Sequence, residues 1–147
     1  MNTLFFPMLA GHFVADFWLQ PTSWVLERKE NGWRSGKLII HAAIASVVPV
    51  LLTFQAKLWW FIPVIFLTHY LIDLIKISVR ENMASFLADQ LLHIGVLWLL
   101  AALFPGAAGS NGMAPYWIYA CGFILITNPL GILTAMFLRS VTQTQKT

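Results

Sequence analysis

The chain has 147 residues, enough for one domain, with 59% apolar and only 10% charged residues. A soluble domain carries about 25% charged residues, so this chain cannot coat a water-facing surface, and lipid must be its solvent. The formal charge of +3 is small; with no basic stripe interleaved with exposed aromatics, it gives no sign of a nucleic-acid partner.

A membrane span needs about 20 mostly apolar residues. In lipid the backbone must satisfy its own hydrogen bonds, so each span is a helix. The predicted spans, in chain order, are residues 3–20, 38–55, 58–78, 84–104 and 115–138. The opening Met1-Asn2-Thr3 has no positive region, so no cleaved signal peptide is expected. Gln20-Pro21 ends the first span, and Gly11 in that span allows close approach of another helix. Asn31-Gly32 and Ser35-Gly36 mark a polar loop. Gln55-Ala56-Lys57 is a short turn that folds spans two and three into a tight antiparallel hairpin. The stretch from Pro105-Gly106 to Asn111-Gly112 is a loop of small residues. Trp59, Trp60, Tyr116 and Trp117 fall at span ends, where an interfacial belt would put them. Span five holds Thr127 and Asn128 before Pro129, a sequence that predicts a kink and leaves Asn128 free to turn towards the other spans. Its single cysteine, Cys121, cannot form an intrachain disulfide and reads as a small buried apolar residue.

Lys and Arg give the orientation. Arg28, Lys29, Arg34, Lys37, Lys76, Arg80, Arg139 and Lys146 fall on one side of a five-span chain, and Lys57 alone on the other. The expected fold is therefore one domain over 1–147: an all-α integral membrane bundle of five spans, N-terminus outside and C-terminus in the cytoplasm.

Against that topology the ionisable residues stand out. Glu27, Glu30 and Glu81 fall in cytoplasmic loops, whereas Asp16, Asp73, Asp89 and all four histidines fall inside spans. Charged groups at membrane depth cost several kcal/mol unless paired or solvated, and so mark functional sites. His12 and Asp16, His69 and Asp73, and Asp89 and His93 are each four residues apart, hence on one helix face. Spans one and three run inward and read His then Asp; span four runs outward and reads Asp then His. In all three, Asp lies nearer the cytoplasm and His about 6 Å deeper, from the rise of 1.5 Å per residue. His41, near the cytoplasmic start of span two, lies level with the Asp layer.

These seven residues form a nitrogen and oxygen donor set suited to zinc, manganese or iron, as one ion or as two sharing a carboxylate. His12, Asp16, His69, Asp73, Asp89 and His93 are the expected ligands. Asp16, His41 and Asp89 are the expected catalytic groups, with His41 a further ligand or a proton shuttle. Lys76 and Arg80 continue the face of His69 and Asp73, where they would hold a phosphate or an anionic headgroup, or Lys76 would pair with Asp73. Gln90 would orient a ligand or the substrate, and Gln20 would do the same or cap its span. A proton or ion relay, or a neutral network that holds helices together, would use the same residues.

The segment Gly11-His12-Phe13-Val14-Ala15-Asp16-Phe17-Trp18-Leu19-Gln20-Pro21, with His41, His69-Tyr70-Leu71-Ile72-Asp73, Lys76 and Asp89-Gln90-Leu91-Leu92-His93, resembles a family of small bacterial inner-membrane proteins known only as a domain of unknown function. The resemblance covers roughly residues 5–105 and implies a multi-pass protein of the inner membrane. More distantly the chain resembles membrane-bound metal-dependent hydrolases. It lacks the His-Glu-x-x-His helix of zinc proteases. The expected activity is metal-dependent hydrolysis of a lipid or other anionic membrane substrate at the cytoplasmic leaflet. The alternatives are a small proton- or ion-coupled transporter, for which a homo-oligomer would supply the path, and a non-catalytic assembly factor.

Overall fold

The computed structural model describes residues 4–105 and 114–144, which form helices joined by short turns, with no strand among them. The first helix, α1 (Phe5–Phe17), carries Pro7 in its first turn, where the missing N–H has no intrahelical partner to lose. It stops short of Pro21, which disfavours helical geometry at Gln20.

The polar stretch that follows is not a loop. Thr22–Asn31 forms a second helix, α2, which starts directly after Pro21. It has no long apolar run, so a search for spans passes over it. Gly32 ends it with φ +56°, a left-handed value that glycine adopts without steric cost. After one 3-10 turn at Gly32–Arg34 comes α3 (Gly36–Leu51). Ser35 caps α3 by accepting from the Leu38 N–H at 2.9 Å. The chain bends by 106° between the α2 stretch and α3.

The fourth helix, α4 (Phe61–Ile77), follows a single 3-10 turn at Ala56–Leu58 and packs antiparallel to α3, as the short connection predicts. The next, α5 (Met83–Leu103), opens with a capping box: Asn82 accepts from the Ser85 N–H at 2.9 Å, and Ser85 Oγ accepts from the Asn82 N–H at 3.0 Å. The fifth predicted span is two helices, α6 (Ala114–Thr127) and α7 (Pro129–Thr144), broken at Asn128 where Pro129 cannot donate. Arg139 lies on α7, but its side chain, the small-residue loop and Lys146 lie outside the described residues.

Two helical stretches are long and apolar enough to cross a membrane, Met83–Leu103 and Tyr116–Leu138; the bent pair of α2 and α3 makes three if it counts as one span. The helices in predicted spans one to three are shorter than predicted. At 1.5 Å per residue, α1 rises only about 20 Å. It is nevertheless the central helix, packed against α3, α5 and α6.

One end of the bundle is closed by an apolar cluster that includes Leu4, Met8, Val50, Leu58, Phe61, Ile65 and Leu97. A second cluster of Ala10, Phe13, Cys121 and Ile124 fixes α6 to α1, so Cys121 is the buried apolar residue expected of it. Gly11 sits against the backbone of α3. A Cβ there would lie 2.5 Å from Pro49 Cα and 2.7 Å from Pro49 N. Gly11→Ala must push two backbones apart and is expected to cost about 1–3 kcal/mol. The check is a lower thermal midpoint in detergent, with Gly95→Ala, whose Cβ meets nothing within 4 Å, as the neutral comparison.

Candidate metal centre

One helical turn beyond the apolar cluster, four helices point polar side chains at one another. From α1 come His12 and Asp16, from α3 His41, from α4 His69 and Asp73, and from α5 Asp89, Gln90 and His93. All four histidines, Asp73 and Asp89 are at most 5% exposed. The i, i+4 spacing puts each His and Asp pair on one helix face, and the antiparallel course of α4 and α5 brings the faces together.

Asp16 Oδ1 lies 3.5 Å from His12 Nδ1, 3.6 Å from His41 Nε2 and 3.7 Å from His69 Nε2. Asp73 Oδ2 lies 3.6 Å from His41 Nε2 and 3.7 Å from His69 Nε2. His41 Nε2 and His69 Nε2 are 3.0 Å apart. The His69 and His93 rings stack with centroids 4.0 Å apart, and His93 Nε2 is 3.5 Å from Asp89 Oδ1. His41 therefore touches both the Asp and the His layers, and does not belong to the Asp level alone.

The nitrogen-to-carboxylate separations exceed the 2.7–3.2 Å of ordinary N–H···O hydrogen bonds. Among the described residues, Asp16 Oδ1, Asp89 Oδ1, His12 Nε2 and His93 Nε2 are buried without a hydrogen-bond partner. Three overlapping triads bring their donor atoms within 4.8 Å of one another: His12, Asp16 and His69; His41, His69 and Asp73; and Asp73, Asp89 and His93.

The carboxylates are not equivalent. Arg28 Nη1 donates to Asp73 Oδ2 at 2.7 Å, and the Lys76 ammonium pairs with Asp89 Oδ2. Lys76 thus reaches Asp89, not Asp73, and Arg28 takes the place at Asp73. Sequence reasoning counted Arg28 only as a topological charge. Yet it is 6% exposed, and the spacing of Trp24, Val25 and Arg28 puts them on one face of a helix, a signal hidden while α2 was read as loop. Gln90 Nε2 donates to Asp89 Oδ2 at 3.2 Å and, at the longer distance of 3.4 Å, to Asp16 Oδ2. The contacts to Asp16 and Asp89 hold one carboxylate oxygen and leave the other facing the imidazoles, whereas Arg28 holds the same Asp73 oxygen, Oδ2, that faces His41 and His69. Such contacts are the usual work of an outer hydrogen-bond shell. Arg80 is exposed beyond the end of α4, away from the centre. Asn128 does not reach it either; its amide donates to the Phe17 carbonyl at 3.2 Å.

A cleft of about 160 Å³ leads from the centre to the surface between α2, α4, α5 and α7. At its mouth Lys29 pairs with Glu81, and that hydrogen bond holds the Glu81 carboxyl below its usual range. This contribution is present in full above the ordinary carboxylate range and is lost as pH falls from there through the lowered value. Because the pair is exposed, Glu81→Gln is expected to change stability by less than about 1 kcal/mol in urea unfolding at pH 7.

Among the described residues these features define an all-helical protein with two or three stretches long and apolar enough to cross a membrane and a buried His and Asp centre. The chain belongs to the DUF3307 family, described as a protein of unknown function, whose model matches residues 4–115. The match takes in α1 to α5 and every residue of the centre, and stops at the start of α6. No curated protein and no solved structure matches the chain.

Proposed function

We propose that this chain is a metal-dependent hydrolase embedded in the bacterial inner membrane, acting on a lipid or other anionic substrate at the cytoplasmic leaflet. In this reading α1, α3, α4, α5 and the α6–α7 pair make five passes, N-terminus outside, and α2 lies along the cytoplasmic surface. The eight-to-one division of Lys and Arg supports that topology.

The observation that carries the metal reading is Asp16 Oδ1, a buried carboxylate oxygen ringed by three imidazole nitrogens at 3.5–3.7 Å with no hydrogen bond to any of them. Ligands bound tetrahedrally at about 2.0–2.2 Å stand about 3.3–3.6 Å from each other, so these separations suit the edges of a coordination shell. His12, Asp16, His41 and His69 would hold the ion, with zinc, manganese or iron the fitting choices. Charge balance favours one ion over two. Arg28 and Lys76 already offset Asp73 and Asp89, so with neutral imidazoles a single carboxylate charge is left uncompensated. A second ion on Asp73, Asp89 and His93 would have to displace both cations.

A bound ion would supply a Lewis acid, to polarise the scissile bond and acidify water. His93, with Asp89 behind it and Lys76 holding the other Asp89 oxygen, would take the proton from the attacking water and return it to the leaving group. His12, His69 and His93 also line a cavity of about 10 Å³, the volume one water needs. Against proton- or ion-coupled transport stands the apolar cluster around Met8, Phe61 and Leu97, which seals the far side of the centre.

Elemental analysis of protein purified without chelator tests the reading. The expected result is close to one transition-metal ion per chain; a metal-free, folded protein would sink it.

A further inference from the structure

The cleft above the centre has two unlike walls. One is polar: Gln20 just past α1, and three cations each beside a carboxylate, with Lys29 on the exposed Glu81, Arg28 on Asp73 and Lys76 on Asp89. The other is apolar: Val25, Ile77 and Phe86, with Ile132 and Met136 four residues apart on one face of α7. At about 160 Å³ the cleft has about ten times the volume that one water needs.

Two buried amide atoms on the polar side have no partner among the described residues: Gln20 Nε2 and Gln90 Oε1. Gln90 is 9% exposed and touches both Asp16 and Asp89, so its free atom sits where the cleft meets the centre. Buried polar groups are nearly always satisfied, and the free donor on Gln20 calls for an acceptor. Lys29 is held only by the exposed Glu81, a pairing that costs little to exchange. Donor and cation on one side, with methylene-sized apolar surface on the other, match an anionic head joined to a hydrocarbon chain. The α7 part of the apolar wall lies beyond the residues 4–115 that the family model matches.

We propose that this cleft binds a lipid whose head is a phosphate, with the head between Gln20, Lys29 and Lys76 and the start of the chain against Ile132 and Met136. This names the substrate class for the reaction proposed above and rests on that reading for catalysis, but not for binding. A phosphate carries up to two negative charges and several acceptor oxygens, enough to take both lysines and the Gln20 amide together. The remainder of the chain follows α7 into the membrane, so the ligand enters sideways from the leaflet.

The test uses hexadecylphosphonate, which has head and tail but no bond to hydrolyse. The full chain is placed in phosphatidylcholine nanodiscs, its metal content is measured, and binding of the radiolabelled probe is followed. Hexadecanol tests the tail alone and methylphosphonate the head alone. Both are expected to compete at least about tenfold more weakly than unlabelled probe. Lys29→Glu and Met136→Trp are each expected to weaken probe binding at least about tenfold with metal content unchanged. Equal competition by hexadecanol would mean a greasy surface, and equal competition by methylphosphonate a free anion site; either overturns the proposal, as does full binding by both variants. Probe binding to a metal-free protein would leave this inference standing and remove the metal centre. Metal with no preference for the probe would do the reverse.

Discussion

Arg28→Met is expected to be the most destabilising single substitution at the α2 end of the bundle. Arg28 reaches from α2 to Asp73 at 2.7 Å, and both side chains are buried, at 7% and 3% exposed. Removing one partner of such a pair strands the other charge and costs about 3–5 kcal/mol. Removing both is far cheaper, so Arg28→Met with Asp73→Asn should recover most of the loss, a coupling that a double-mutant cycle in detergent would read directly. The cost should also depend on metal. Asp73 Oδ2 stands within 3.7 Å of His41 and His69, so an ion held there would offset the stranded charge. Arg28→Met should therefore lose more stability in chelator than with metal present. Equal losses in both conditions would separate Arg28 from the centre and make it a plain structural bridge.

Arg28 also marks the limit of what could be read from the chain alone. The seven His and Asp residues were legible because their spacing is local: i, i+4 fixes a shared helix face, and the reversal of order on α5 shows that the faces meet. The tight α3–α4 hairpin, the break at Asn128 and the closeness allowed by Gly11 were legible for the same reason. The partner of Asp73 was not. It comes 45 residues earlier, from a helix too polar to register as a span and too short to stand out otherwise. Lys76 was placed on the correct face, but a face does not specify which neighbour it meets, and Asp89 on α5 lies nearer to hand than Asp73 on its own helix. Arg80 failed for a simpler reason: α4 ends at Ile77, so the periodicity that would have carried it to the centre has stopped.

Asp16→Asn is expected to abolish metal binding while leaving the bundle folded. Asn has the shape of Asp and keeps a carbonyl oxygen, so the contacts of α1 with α3 and α6 survive. What goes is the one carboxylate charge in the centre that no cation offsets, at the side chain that three imidazole nitrogens surround. Loss of an outer hydrogen bond to a ligand weakens metal binding roughly 10–100-fold, and Gln90→Ala, which removes the donor to Asp16, should fall in that range. Loss of Asp16 itself should exceed it. Asp89→Asn bears on the division of labour. If Asp89 and His93 move the proton while Asp16 holds the ion, Asp89→Asn keeps metal and loses turnover, whereas a second ion at Asp73, Asp89 and His93 would make it lose metal as well. Metal content and thermal midpoint measured on the same samples decide between these. If Asp16→Asn retained its metal, or if every one of these substitutions unfolded the protein alike, the cluster would be the cement of the helices and not a site.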